Sequence, residues 1–243
     1  MKLKPQSVDA PINFIQVYDD VLSEEFCKHV IDKFEADDNK RKGVVGFDPN
    51  DDQVIESIKQ STDLRINLYE EWREENETFF QAQQKGVMEY MEYLISYNQS
   101  NTPFIGPNIV DSGFQIQRTE PDQFYDWHND SNIVQYFVNR DVFHRFFTYI
   151  FYLNDIDVEN DGYTEFIDGT RIQPKRGRVA YFPATWTYLH RGVKPKNQTK
   201  YICTGWMGNL HDEFKPQSAS SQPMMENNFD WWNGLILLAL SYK

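Results

Sequence analysis

Only five of the 243 residues are histidine, and two of the five stand among polar and aromatic neighbours, in Tyr125-Asp126-Trp127-His128-Asn129-Asp130 and Tyr188-Leu189-His190-Arg191-Gly192. In an extended chain, side chains at i and i+2 project to the same side, so His128 and Asp130 offer an imidazole nitrogen and a carboxylate oxygen to one ion. The distant His190 supplies a third ligand. Two imidazoles and one carboxylate suit Fe(II) and leave coordination positions open for small ligands and O2, whereas a structural zinc site closes with four protein ligands. A His-x-Asp pair alone is also common in surface turns, where the Asp side chain caps the turn. Lys200, ten residues beyond His190, adds weight to the metal reading. It opens a run in which Lys200, Ile202, Thr204 and Trp206 share one face and Tyr201, Cys203 and Gly205 share the other. A lysine turned into an apolar interior needs an anion, and the distal carboxylate of 2-oxoglutarate is such an anion. The alternative is that Lys200 faces solvent and Cys203 faces the core.

Such residues need a rigid frame. From Phe114 onward the apolar period is two, in runs at 114–118, 145–153, 178–183 and 199–206, separated by turn-rich segments at 159–162, 168–170 and 194–198. That is the punctuation of an antiparallel sandwich or barrel. The first half is different. A strand at 13–18 precedes a helix that Ser23, Glu24 and Glu25 open and that runs to about residue 35. After a polar loop at 37–53, a helix is expected over 69–97, with Trp72, Phe79, Val87, Met91 and Leu94 on its apolar stripe and a break near Gly86. The expectation is one domain over 1–243: helical support over about 1–100, a β core over about 110–207 and a C-terminal extension over 208–243. Within the extension, 215–223 reads as a tether and 235–240 as a packing segment.

A net charge of -13 and a pI near 4.8 argue against nucleic acid as a partner, since phosphate-tracking surfaces cluster Lys and Arg. The first residues carry no apolar run of the kind a signal peptide has, and the run at 235–240 is far short of the roughly 20 residues that span a bilayer. A cytoplasmic protein without a membrane partner is expected. Cys27 and Cys203 are too few for a disulfide framework and read as buried thiols.

Taken in order, Tyr125 to Asp130, Phe151-Tyr152-Leu153-Asn154-Asp155, Gly162-Tyr163-Thr164-Glu165-Phe166, Pro174 to Arg178 leading to Tyr181-Phe182-Pro183, His190 to Val193, and Lys200-Tyr201-Ile202 leading to Trp206 resemble the prolyl 4-hydroxylase branch of the 2-oxoglutarate/Fe(II) dioxygenases. The resemblance runs from about Phe14 to Trp206. It includes the opening NFIQVYDDVLSEEF and the segment Lys59 to Leu64, which is similar to the branch's mobile substrate-side region. It implies a mainly β, α+β fold: a double-stranded β-helix (jelly-roll, cupin-like) core with supporting helices. It further implies iron on His128, Asp130 and His190, and Lys200 on the distal carboxylate of 2-oxoglutarate with Tyr152 assisting. Fe(II), 2-oxoglutarate and O2 would take part, with ascorbate as reductant. The reaction implied is hydroxylation of proline in a peptide or protein, as in procollagen-proline 4-dioxygenases, coupled to decarboxylation of 2-oxoglutarate to succinate and CO2.

The chain departs from that pattern before the iron motif. Where the branch has a tyrosine and a glycine-rich turn, this chain has Arg118-Thr119-Glu120-Pro121-Asp122-Gln123. Arg118 either points inward beside Phe114 and Ile116, as a second cation near the site, or is an exposed strand-end residue. Tyr125, Trp127, Trp186 and Tyr188 either rim a substrate pocket, with Trp206 as its wall, or simply pack. Asp63 and Arg65 either touch substrate or lie on a solvated loop. His29, His144 and His211 are given no role. Two rival functions remain. One is the same chemistry on a free amino acid or a modified nucleobase, the latter disfavoured by the acidic balance and by the lack of any arginine after Arg191. The other is a non-catalytic metal-binding β-barrel, which has no need of both the triad and Lys200. The acidic surface leads to the further expectation that Lys- or Arg-containing peptides associate faster.

Overall fold

Ser23 opens the first helix as the sequence leads one to expect, its hydroxyl accepting from Phe26 N at 3.1 Å, and the helix α1 runs over Glu24–Ala36. It follows a short strand β1, Gln16–Tyr18. The computed structural model describes residues 13–45, 53–97, 109–131 and 144–209. Two 3-10 turns at Ile66–Leu68 and Glu70–Trp72 then lead into α2, Arg73–Tyr97. The two helices and the 3-10 turn before α2 bury Val30, Phe34, Trp72, Phe79 and Tyr90 against one face of a large sheet, where Tyr149, Phe151, Tyr181 and Cys203 meet them. Each such aromatic contributes about 1.5–3 kcal/mol through burial.

That sheet has eight antiparallel strands. Along it lie β1, β10 (Val179–Pro183), β7 (His144–Tyr152), β12 (Lys200–Asn209), β5 (Gln115–Thr119), β3 (Thr62–Arg65) and β2 (Arg41–Lys42), while β4 (Ile109–Asp111) pairs with the far half of β12. Four shorter strands make the second sheet, in the order β6 (Tyr125–His128), β11 (His190–Gly192), β8 (Thr164–Phe166) and β9 (Arg171–Ile172). A second core of Ile150, Tyr152, Ala180, Phe182, Phe166 and Ile172 joins the two sheets. Alternation explains the division: Tyr149 and Phe151 of β7 face the helices, and Ile150 and Tyr152 face the other way. Two facing antiparallel sheets that do not close into a barrel are the double-stranded β-helix, with helices supporting the larger sheet.

Two expectations change. The segment Lys59 to Leu64, read as a mobile region, enters the large sheet as β3, with Leu64 opposite Ile116, because Leu64 and Ile66 are fully buried. The helix does not break at Gly86. α2 is continuous there, and the glycine is needed for close approach, since a Cβ would fall on the Tyr181 hydroxyl and ring edge. Gly86→Ala is therefore expected to lower stability by about 1–2 kcal/mol despite the better helix propensity of Ala, because overpacking a fully buried ring costs about 1–3 kcal/mol and propensity returns at most about 1. Urea unfolding measures it; an unchanged midpoint would show that Tyr181 moves aside freely. The tether at 215–223 and the packing segment at 235–240 lie outside the described residues. No helix among the described residues is long and apolar enough to cross a membrane.

Candidate metal and co-substrate site

His128 ends β6, His190 begins β11, and the two are direct cross-strand partners. Between them and the next pair, Gly192 with Tyr125, the register slips, so three steps on β6 match two on β11. Such a bulge re-aims side chains. Here it turns both Tyr125 and His128 into the space between the sheets, where their rings stack with centroids 3.6 Å apart and planes 14° apart. Asp130 follows two residues later, buried, with its backbone N–H donating to Ala184 O at 3.1 Å.

The donor atoms converge. Asp130 Oδ1 lies 3.7 Å from His128 Nε2 and Oδ2 lies 3.6 Å from His190 Nε2, too far for good hydrogen bonds and close enough to share an ion. Among the described residues this is the one group of three or more potential ligands whose donor atoms all lie within 4.8 Å of one another. The imidazoles are held for that task. His128 Nδ1 bonds Asp126 O at 2.7 Å and His190 Nδ1 bonds Tyr188 O at 3.0 Å. A carbonyl only accepts, so each ring carries a proton on Nδ1, and in the neutral tautomer its Nε2 lone pair faces the ion. Thr148 Oγ1 donates to Asp130 Oδ2 at 2.8 Å. Burial, with His190 nearby, pushes His128 down to about 3, so it stays neutral. At Asp130, burial favours the neutral acid, but His190, His128, Arg145 and the Thr148 bond outweigh it and hold the carboxyl below its usual range. A neutral imidazole at His128 and an ionised carboxylate at Asp130 are forms that a divalent cation requires.

Two clefts meet at this group. The inner one encloses about 550 Å³ and is lined by Thr119, Ile150, Thr164, Lys200, Ile202 and Thr204. Lys200 is 4% exposed, and burial lowers its pKa to about 8. Its Nζ donates to Gly162 O at 3.0 Å, and no carboxylate among the described residues pairs with it. The outer cleft, about 950 Å³, is lined by Val44, Ile58, Lys59, Arg65, Gln115 and Arg145 among others. Gln117, Tyr125, His128, Asp130 and Trp206 border both.

The remaining candidates fall into place unevenly. Trp206 walls both clefts, with the Arg145 guanidinium 3.8 Å from its ring centroid. Trp127 borders the outer cleft, with Arg191 4.8 Å from its ring centroid and Glu165 holding Arg191 in turn. Trp186 is 70% exposed and borders neither cleft, and Tyr188 packs against the second core. Tyr152 does not reach the inner cleft: fully buried, it bonds Thr164 Oγ1 at 2.8 Å and meets the cleft only through that residue. Arg118 is not a second cation of the site. It lies on the other face of β5, bonded to Glu35 at 2.7 Å, because Gln115, Gln117 and Thr119 are the residues of that strand that face the clefts. Asp63, read as a loop residue, is buried in β3 beside Lys59.

Sequence reasoning missed Thr148, Lys59 and Arg145. For Arg145 the alternation of β7 pointed to the helix side. A register shift between Met207 and Gly208, which pair with Phe147 and Arg145, inserts a residue in β7 and brings Arg145 to the cleft.

Residues 114–208 match the family model described as the 2OG-Fe(II) oxygenase superfamily. No curated protein sequence matches the chain. Among solved structures, a viral collagen prolyl hydroxylase from Paramecium bursaria Chlorella virus-1 in complex with 2OG aligns with a TM-score of 0.56 at 19% identity, over 82% of this chain and 97% of that one. A Trichoplax adhaerens prolyl hydroxylase in complex with a hypoxia-inducible factor peptide fragment aligns with a TM-score of 0.62 at 18% identity, over 86% and 88%. A Pseudomonas putida prolyl-4-hydroxylase gives 0.56 at 14%, over 81% and 93%. The matched segment is less than half of the chain and contains His128, Asp130, His190 and Lys200; over it the sequence is similar to the 2OG-Fe(II) oxygenase superfamily, and the chain is similar in fold to the solved prolyl hydroxylases.

Proposed function

We propose that this chain is a 2-oxoglutarate- and Fe(II)-dependent dioxygenase that hydroxylates proline residues in a peptide or protein. The observation that carries this reading is the convergence of two Nε2 atoms and a carboxylate where an inner cleft, lined by a buried lysine, meets an outer one. The donor set fits Fe(II): three protein ligands on one side leave positions facing both clefts. When bound there, iron supplies the oxidative chemistry that couples decarboxylation of 2-oxoglutarate, to succinate and CO2, to oxygen insertion into a substrate carbon.

The protein's own residues do the rest. Lys200, charged below about pH 8, draws the distal carboxylate of 2-oxoglutarate to the closed end of the inner cleft, and Thr119 and Thr164 border that cleft with hydroxyls. Ile150 and Ile202 keep its sides apolar, which strengthens the charge pairing by excluding water. Tyr125, Trp127 and Trp206 offer flat aromatic walls in the outer cleft for an extended, proline-bearing segment. One solved structure of similar fold is a complex with 2OG and another a complex with a peptide fragment, which supports a reading with both a small co-substrate and a peptide. The second reading is a free amino acid as substrate, which Arg65 and Arg145 in the outer cleft favour, since either suits a substrate carboxylate.

The test is incubation with Fe(II), ascorbate, 2-oxoglutarate and proline-rich peptides, followed by mass spectrometry. One added oxygen on proline is expected. Succinate release stimulated by free proline or another small amine, with unmodified peptides, would replace the peptide reading with the second one. No succinate with any substrate would overturn both.

A further inference from the structure

Lys59 is a buried cation beside the candidate iron ligands, 4% exposed, with its Nζ 2.6 Å from Asp63 Oδ2. Asp63 also accepts from Ser61 Oγ at 2.7 Å and Gln115 Nε2 at 3.0 Å. A buried ion pair is seldom more stabilising than apolar packing of the same volume, because desolvating both charges offsets their attraction. Its use here therefore points to geometry. The ammonium lies 5.1 Å from the centroid of the Tyr125 ring, and Tyr125 is stacked on His128. Backbone contacts tie the same pieces together: Lys59 and Tyr125 form an isolated antiparallel bridge, Asp126 N donates to Ile58 O at 2.8 Å, and Gln60 N donates to Phe124 O at 2.7 Å. Gly43 closes the pair from outside, since a Cβ there would collide with Ser61 and press on Lys59 and Asp63. Asp63, Lys59, Tyr125 and His128 thus form a continuous row from β3 to the metal group.

We propose that Lys59 is a positioning residue for the metal: anchored by Asp63, it holds Tyr125 against the His128 ring and so fixes the direction of the His128 Nε2 donor. A free imidazole at a strand end pivots about its Cα–Cβ and Cβ–Cγ bonds. The carbonyl of Asp126 restrains one edge of the ring, and the stacked tyrosine restrains its face. Groups that orient a ligand in this way usually change metal affinity by about 10–100-fold when removed. The inference rests on the reading of His128 as an iron ligand.

The experiment uses Co(II) as a spectroscopic stand-in for Fe(II), titrated into the full chain and followed by visible absorption. Lys59→Met alone would strand the Asp63 carboxylate and risks unfolding. The decisive variant is Lys59→Met/Asp63→Leu, which removes both charges, compared with Tyr125→Leu, which leaves the ion pair in place. Both are expected to weaken Co(II) binding at least about tenfold and to alter the ligand-field bands, and Lys59→Arg is expected to recover most of the affinity. Wild-type affinity and spectrum in whichever of the two variants folds, as judged by circular dichroism, would overturn the proposal and leave the pair as packing. Absence of Co(II) binding by the wild-type protein would instead overturn the ligand assignment, and the proposal with it.

Discussion

Asp130→Ala is expected to abolish turnover and to weaken Fe(II) binding by more than about a hundredfold, since even changes behind a ligand cost 10–100-fold and this one removes the only anionic donor. The fold should survive. Asp130 lines both clefts, so its removal enlarges existing space rather than opening a hole in the core, at the cost of the Thr148 hydrogen bond and of the attraction to Arg145. His128→Ala and His190→Ala should also lose activity, but His190 packs edge-to-face on Phe182 and near Phe166, so its removal opens a cavity as well. Asp130 is therefore the cleaner probe. Equilibrium dialysis with Fe(II) and succinate release measure the effect. Ordinary activity in Asp130→Ala at normal iron would sink the ligand assignment.

Lys200→Ala should raise the KM for 2-oxoglutarate about 10–100-fold, the equivalent of the 1.5–3 kcal/mol of a hydrogen bond to a charged group. The pH dependence follows from the direction of the shift. Burial lowers the Lys200 pKa from 10.5 to about 8, so between those values the unfolded chain holds a proton that the folded one does not, and stability rises with pH across that window. Below about pH 8 the full penalty, about 3 kcal/mol, is present. A bound carboxylate offsets it. Hence 2-oxoglutarate should protect the protein against thermal unfolding most strongly below about pH 8, and its affinity should fall as pH rises above that. Lys200→Arg should show a milder rise in KM without this pH dependence, and Lys200→Met without ligand should melt higher than the wild type at pH 7. A KM unchanged in Lys200→Ala would assign the distal carboxylate to another group.

Much of this arrangement was legible because it depends on short-range spacing. The two-residue step from His128 to Asp130 and the shared face of Lys200, Ile202, Thr204 and Trp206 need only an extended backbone, and the structure has both. Ser23 and its acidic followers fixed the start of α1 for the same local reason. Where the reading failed, the deciding contact was distant. One of the two readings of Arg118, as a cation near the site beside Phe114 and Ile116, took the apolar face of β5 to be the site face. The strand is covered on both sides, its apolar face meets the helices, and its glutamines and Thr119 face the clefts. Two bulges, one bringing Tyr125 and one bringing Arg145 to the clefts, break alternation in a way that only the partner strand reveals. Lys59 was read only as part of a mobile segment, and Asp63 as either touching substrate or lying on a solvated loop; only in the fold do the two neutralise each other in the interior.

β12 pairs with β4, β5 and β7 and carries, on one face, the lysine at the closed end of the inner cleft and the tryptophan shared with the outer one. This has a consequence for how such an enzyme diversifies. Inserting or deleting a single residue between Lys200 and Trp206 would turn one of them to the opposite face of the sheet, so the two chambers are genetically linked. A one-residue change there costs the inner cleft its lysine or both clefts their tryptophan, whereas side-chain replacement leaves the phase intact. The walls of the outer cleft near Val44, Ile58 and Arg65 come from separate segments, each free to vary without disturbing the co-substrate chamber. Under the proposed function, substrate range can drift at the mouth while the binding of 2-oxoglutarate stays locked in the frame.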